Sequence, residues 1–308
     1  MISVIIATKD RRTHLLDCLS SLSENSVPDF EVIVADQKLP RTPLPKFIHN
    51  NLQRVTHVFV PQGGKSVALN HAIRKARGTI IAFTDDDCIV PKNWIQNIQT
   101  YFRLHPHVDG ILGSAGPYRK RAHPGLYCPA VYMHPRPYIL TKPPHKPSKI
   151  GFGNNNAVRL QALRQTDGFR TWLGHGYAPG PAEDADMVIQ LLLSGQKLAY
   201  EPSVTVMHNR WVSAGEFRKQ HLRYTFGEYA CMGYYAASGK QFALSVLRRK
   251  YVTAFHAFTV ACYNMISKGI NRKTAGAVFW KAAEPWIGTA GILYGWYHAI
   301  HTAPRFPL

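Results

Sequence analysis

Acidic residues are scarce in this chain: 18 Asp and Glu stand against 37 Lys and Arg, a formal net charge of +19 over 308 residues. Such an excess favours polyanionic neighbours, whether nucleic acid, anionic lipid or phosphorylated substrate, and charge alone does not choose among them. Cysteine is sparse too. Cys18, Cys88, Cys128, Cys231 and Cys262 lie far apart with no CxxC pair, which excludes a zinc ribbon or a thioredoxin-type site and suits a reducing compartment. Long apolar runs are missing: nothing approaches the roughly 20 residues that a bilayer-spanning helix needs. The opening run, residues 2–7, is too short for a secretion signal. A cytoplasmic protein is therefore expected. Hydrophobic residues still make up 45% of the chain, enough for a real core and too many for wholesale disorder.

The acids that remain stand at particular places. Residues 2–7 and 30–35 are short, apolar and β-branched, as buried strands are, and Leu15, Leu16, Leu19 and Leu22 between them recur at helical spacing. Residues 39–45, with three prolines, read as a loop. A third strand follows at 55–60, then a helix at 66–76 closed by Gly78, then a fourth strand at 79–84 that runs into Asp85, Asp86 and Asp87. Pro91 opens a further helix. Alternation at this pace predicts an α/β fold with a mostly parallel, mixed sheet flanked by helices. Ligands of such sheets bind beyond the carboxyl ends of the strands, where both Asp36 and the three aspartates lie.

Further on, residues 117–147 hold eight prolines and are too long for an ordinary connector, which suggests a functional loop or lid. A helix at 183–194 is stopped by Gly195, and two short strands follow through His208. From residue 213 the only acids are Glu216, Glu228 and Glu284. Two uncharged stretches of 16 residues, 251–266 and 285–300, read as helices that pack together or lie in a membrane interface. An ordinary helical subdomain with a basic outer face is the alternative. The expected division is 1–210 for a catalytic domain and 211–308 for a helical, basic extension.

Three adjacent carboxylates repel one another, and a hard divalent cation such as Mg2+ or Mn2+, with oxygen ligands shared between carboxylate and phosphate, relieves them. A solvated acidic turn is the plainer reading. Glu183 and Asp184 open a helix, where capping alone would account for carboxylates. The segment Gly63-Gly64-Lys65-Ser66 ends like a phosphate-binding P-loop, but Phe59 stands where that motif needs its first glycine. A Gly-Gly-Lys at a helix N-terminus can still hold phosphate through backbone N–H groups and the lysine charge. The Gly-Phe-Gly at 151–153 fails as a dinucleotide fingerprint, having Asn156 at the third glycine position.

Taken in order, SVIIATKDR, Asp36 after VIVA, GGKSVALNHAIRKARGTIIAFTDDD, GFGNNNAVR, EDADMVIQLLLSG and VMH resemble the family-2 glycosyltransferases over roughly residues 1–210. The resemblance implies the type-A nucleotide-diphosphosugar transferase fold, which is Rossmann-like, and inverting transfer of a sugar from a nucleotide-diphosphate donor, usually a UDP-sugar, to an acceptor hydroxyl. It places Thr8 and Lys9 at the nucleotide mouth, Asp36 on the donor base, and Lys65 and Asn70 along the nucleotide pocket. Asp85 would contact ribose or sugar, with Asp86 beside it on the donor side. Asp87 would ligate Mn2+ or Mg2+ at the diphosphate, with His208 completing the metal site. Asp184 would be the catalytic base. The GFGNNN segment and Trp172-Leu173-Gly174 would shape the sugar and acceptor pocket.

Processive relatives carry Q-x-x-R-W. Here Gln220, Arg223 and Tyr224 occupy that pattern with Tyr in place of Trp; Arg223 could reach the diphosphate, but transfer of single sugars to a lipid-linked or cell-surface precursor is expected. The basic, aromatic C-terminal part would hold the enzyme on anionic lipid at the cytoplasmic face of the membrane. A sugar nucleotidyltransferase would want a glycine-rich loop after the first strand, and ATKDRR has none. A nucleic-acid-binding module or inactive scaffold would leave the three aspartates unexplained, since carboxylates repel phosphates without a metal; no nucleic-acid partner is expected.

Overall fold

Ile2–Thr8 forms strand β1, buried at every position but Ala7. Without a polar face, such a strand belongs in the middle of a sheet covered on both sides. It lies between β2 (Phe30–Asp36) and β4 (Ile80–Asp85), parallel to both, with β3 (Val55–Phe59) parallel to β2 at the edge. The computed structural model describes residues 1–38, 52, 54–61, 63–119, 123–144, 153–267 and 270–301. The proline loop expected at 39–45 and Gly151 and Phe152 lie outside them.

The second half of the sheet is mixed. It adds β5 (Cys88–Ile89), β6 (Gly110–Pro117), β7 (Tyr138–Leu140), β8 (Asn155–Arg159) and β9 (Leu198–His208) in the order β3-β2-β1-β4-β8-β6-β9-β5, with β7 on β9. β8 runs antiparallel to both β4 and β6, while β6 and β9 are parallel. The mostly parallel, mixed sheet expected from the sequence is thus observed, and its antiparallel member is β8, which follows the long connection that carries β7. The two strands expected before His208 are one. Its pairing with β6 jumps from Glu201 to Thr205 around Pro202, a residue with no N–H to give to a ladder.

Side-chain alternation sorts the helices to two faces. Ile2, Val4 and Ile6 pack with Leu15, Leu19 and Leu22 of α1 (Arg12–Ser23) and with Trp94, Ile95 and Ile98 of α3 (Trp94–Leu104). Ile5 faces the other way, toward Leu69 and Ile73 of α2 (Lys65–Lys75) and Met187 and Leu191 of α5 (Glu183–Leu193); a single turn, α4 (Leu160–Leu163), precedes α5. The helix expected at Pro91 begins at Trp94, because Pro91 closes a turn by accepting the Trp94 N–H at 3.0 Å. α5 ends as expected at Gly195, whose φ of +83° suits glycine.

The chain divides into two compact units, the first gathering Met1–Tyr177 and Glu183–Phe217, the second Ala178–Ala182 and Arg218–Ala303. The second is built from α6 (Ala214–Ala237), α7 (Gln241–Ser267) and α8 (Arg272–His301). Both uncharged stretches fall within helices, α7 and α8. Among the described residues no helix is long and apolar enough to cross a membrane.

Candidate active site

The register of the parallel strands gathers the polar ends. Thr8 closes β1 opposite Asp36, and Ala7 lies opposite Asp85. Just beyond, Cys88 pairs with His208, which brings the end of β9 beside the acidic turn.

The three aspartates do not share one partner. Asp86 accepts hydrogen bonds from Thr8 Oγ1 at 2.7 Å and from Arg11 Nη1 at 3.3 Å. The same Arg11 nitrogen donates to Asp87 Oδ2 at 2.9 Å. Asp85 Oδ1 lies 2.9 Å from Lys65 Nζ, which also reaches Glu183 Oε1 at 3.5 Å. Lys65 thereby links the end of β4 to the start of α5. Burial and the neighbouring Asp87 charge push Asp86 up to about 6 against the pull of Arg11. Asp87 goes the other way: burial opposes its ionisation, but His208 and Arg11 outweigh that and hold the carboxyl well below the usual carboxylate range. Burial also works against the Lys65 charge, and Asp184, Asp85 and Glu183 together keep its pKa well above the ordinary lysine value.

Asp184 keeps partial exposure on the first turn of α5. Its Oδ2 accepts the Gly153 N–H at 3.0 Å, and a Cβ at position 153 would collide with the carboxylate. The deep setting raises Asp184 to about 7, with Lys65 pulling down and Glu183 and Asp85 pushing up. That is a suitable value for a group that must take a proton near neutrality.

The other expected residues are distributed more widely. Lys9 is exposed at the rim. Asp36 accepts the Lys38 N–H at 2.9 Å and lies 3.4 Å from His57 Nε2. Asn70 is fully buried, donating to Phe169 O at 2.7 Å and accepting from Phe169 N at 2.9 Å, so its carboxamide braces a loop. Trp172 and Leu173 are buried in that loop, and Ser66 Oγ donates to Leu173 O at 2.6 Å. The anion-binding reading of the α2 N-terminus is overturned for one of its groups: the Lys65 N–H is taken by His175 O at 3.0 Å. Arg223 is exposed on α6 in the second unit. Arg11 and Cys128 were given no role at the site in the sequence, and Gly153 only a place in the GFGNNN segment. Arg11 lies in ATKDRR, but nothing in that string says which arginine turns inward.

The donor set beside β9 fits a divalent cation. Asp87 Oδ1 is buried, stands 3.2 Å from His208 Nε2 and makes no hydrogen bond, which leaves a buried oxygen beside a ring nitrogen at a separation two ligands of one cation can have. Burial opposes charge on His208, yet Asp87 and Cys128 raise its pKa to about 10; a cation held by Asp87 and His208 would have to displace the ring proton. Among the described residues no group of three or more His, Cys, Asp or Glu is arranged around one metal position. The protein would supply two ligands, and an Mg2+ or Mn2+ that also bridges substrate phosphates needs few more.

Comparison with known proteins identifies the family and the fold. The model of the family described as Glycosyl transferase family 2 matches residues 3–164. The succinoglycan biosynthesis protein ExoM of Rhizobium meliloti (strain 1021) is 27% identical over 225 residues, 68% of this chain and 69% of that protein. Among solved structures, S. aureus TarS 1-349 matches with a TM-score of 0.58 at 15% identity, over 97% of this chain and 89% of that one. Its complex with UDP-GlcNAc matches with a TM-score of 0.55 at 16% identity, over 97% and 90%. The mannosyltransferase PcManGT of Pyrobaculum calidifontis, in complex with GDP-Man and Mn2+, gives 0.57 at 16% identity, over 97% and 87%. At such identities the likeness to these structures establishes the fold.

Proposed function

The chain belongs to glycosyl transferase family 2, and from that premise we propose that it moves single sugars from a UDP-sugar to a hydroxyl of a lipid-linked or cell-surface glycan precursor, inverting the anomeric carbon and using Mn2+ or Mg2+. That it is a glycosyltransferase of the type-A fold follows from the family and the fold. The finer reading is supported chiefly by one observation: Lys65 joins Asp85 to Glu183, so the donor acids and Asp184 stand at one carboxyl edge, with Arg11 as the cation on Asp86 and Asp87. The UDP choice is supported by the TarS complexes with UDP and UDP-GlcNAc, and the glycan product by the succinoglycan role of ExoM.

In this mechanism Thr8, Lys9 and Lys65 belong to the nucleotide side, Asn70 stands behind them bracing the Phe169 loop, Asp36 belongs to the base, and Asp85 and Asp86 to the ribose and sugar. Asp87 and His208 would hold the cation, which when bound supplies positive charge for the diphosphate leaving group. Arg11 and Lys65 add fixed positive charge beside it. Asp184 accepts the proton of the acceptor hydroxyl as that oxygen bonds to the anomeric carbon and the bond to the diphosphate oxygen breaks, releasing UDP. One displacement inverts the centre and needs no enzyme nucleophile. Tyr224, in the place of the tryptophan that processive relatives carry, supports release after one transfer. The exposed apolar faces of α7 and α8 support peripheral attachment to anionic lipid on the cytoplasmic side, which vesicle flotation tests.

A thermal-shift titration against UDP, GDP, dTDP and CDP, with and without Mn2+, tests the donor site. A ligand at a hundredfold excess over its Kd stabilises the folded state by about 2.7 kcal/mol. The expected outcome is a Mn2+-dependent shift with UDP that Asp87→Ala removes. A shift with GDP alone would reassign the base, and no shift with any nucleotide would sink the donor site.

A further inference from the structure

Cys128 lies in the long segment between β6 and β8, far in sequence from every residue assigned a role above. Two backbone hydrogen bonds of 2.9 Å, Tyr127 N to Val212 O and Val212 N to Tyr127 O, tie that segment to the chain just after β9. Two residues further on the chain turns through Ala130 at φ +52°, a left-handed conformation uncommon for alanine, and Asn154 Nδ2 holds the Ala130 carbonyl at 3.2 Å. The segment is thus pinned on both sides of the cysteine, and the side chain it delivers meets His208.

The contacts have a direction. Cys128 Sγ lies 3.4 Å from the His208 carbonyl oxygen, which can accept the thiol hydrogen. The same sulfur lies 3.5 Å from His208 Nδ1. With its one hydrogen on a backbone carbonyl, that of His208 at 3.4 Å or of Pro129 at 3.8 Å, the sulfur offers Nδ1 its lone pairs, the arrangement in which Nδ1 donates. On the far side of the ring, Nε2 lies 3.2 Å from Asp87 Oδ1. A histidine that ligates through one ring nitrogen is oriented by the hydrogen bond that the other nitrogen makes.

We propose that Cys128 is a positioning residue for the metal corner: its sulfur accepts the Nδ1–H of His208 and so keeps Nε2 as the nitrogen that faces Asp87 and binds the cation. This rests on the reading of Asp87 and His208 as metal ligands. A thiol in this position orients the ring without adding a third ligand. It also gives the long segment a task at the site, because the loop that carries Cys128 must be seated for His208 to be held.

The test measures Mn2+ affinity rather than turnover, from the electron paramagnetic resonance signal of free Mn2+ in the presence of saturating UDP. Wild type, His208→Ala, Cys128→Val and Cys128→Ser are compared, with far-UV circular dichroism as the check on folding. His208→Ala should lose binding. Cys128→Val, which fills the space without a hydrogen-bonding atom, should weaken Mn2+ binding about tenfold, and Cys128→Ser should recover most of the loss. Wild-type affinity in Cys128→Val alongside lost binding in His208→Ala would overturn the proposal and leave the metal corner standing. A loss that Cys128→Ser does not recover would show packing rather than orientation and overturn it as well. Unchanged binding in His208→Ala would remove the metal corner itself. If Cys128→Val does not fold, 15N spectra of the histidine rings in wild type saturated with Mg2+ and UDP decide: a proton on Nδ1 of His208 is expected, and one on Nε2 refutes the assignment.

Discussion

Asp184 must be ionised to accept a proton, and its surroundings set the pH at which that happens. With its carboxyl raised to about 7 by its deep setting and held from rising further by Lys65, kcat/KM should climb about tenfold per pH unit below neutrality and level off above about pH 7. Lys65→Met removes the main charge that lowers Asp184, so the acid limb should move to higher pH; a limb that stays in place would detach Lys65 from the base. Asp184→Asn should keep UDP affinity and lose about a thousandfold in turnover, the middle of the range for general-base removal. The stability sign follows from the same shift. A carboxyl whose folded-state pKa is raised favours the fold only while protonated, so its contribution is present at low pH and lost as pH rises through about 7. Asp184→Asn should therefore melt above wild type at pH 8 by a margin that shrinks as pH falls below about 7 and is gone near pH 4; a constant gap would contradict the shift. Gly153 belongs to this argument as the residue whose missing side chain makes room for the Asp184 carboxylate.

At the scale of elements, α2 does more bracing than its sequence suggests. Asn70 and Ser66 both point into the loop that carries Phe169 and Leu173. Asn70→Ala would leave the Phe169 N–H and C=O buried without partners, a loss of about 3 kcal/mol. Urea unfolding should show that loss while the folded protein keeps its UDP affinity within about twofold; lost UDP binding at unchanged stability would instead put Asn70 in the nucleotide pocket. The strands were legible because β1, β2 and β4 are apolar at almost every position, a pattern that only a doubly covered sheet explains, and Asp36, Asp85 and Asp87 were legible as strand-end acids once that sheet was assumed. Asn70 was legible only as a polar residue in a recurring string, since nothing local to residue 70 shows that residue 169 uses both ends of its carboxamide. Arg11 and Cys128 escaped for the same reason. Their partners are 75 and 80 residues away in sequence, and a contact of that range leaves no periodic trace. The two short strands read before His208 are one strand because β6 carries the pairing past Pro202, and that partner is supplied by the fold.

At the scale of the whole molecule, the proposed anionic-lipid partner would account for both the +19 charge and the apolar surface of the second unit. On α7, Phe255 is 67% exposed and Ile266 79%; on α8, Trp286 is 78% exposed. Arg248 and Arg249 are exposed at the basic end of the uncharged part of α7. Apolar and aromatic side chains insert at the boundary of headgroup and acyl chain, while each Lys or Arg near an anionic surface contributes about 1 kcal/mol that salt screens. The two contributions should separate. Flotation with phosphatidylglycerol vesicles should carry the wild-type protein at about 0.1 M salt, a regime in which the Debye length is roughly 10 Å, and pure phosphatidylcholine should carry less. Arg248→Gln with Arg249→Gln should weaken binding to the anionic vesicles and reduce its salt dependence. Phe255→Ser with Trp286→Ser should weaken binding to both lipids by about tenfold or more, since each buried aromatic contributes roughly 1.5–3 kcal/mol. If both double variants float as wild type does, lipid is not what covers this surface. If wild type stays in solution as a dimer that Phe255→Ser with Trp286→Ser dissociates, the cover is a second copy of the chain, and the acceptor must then reach the site without help from an anchored enzyme.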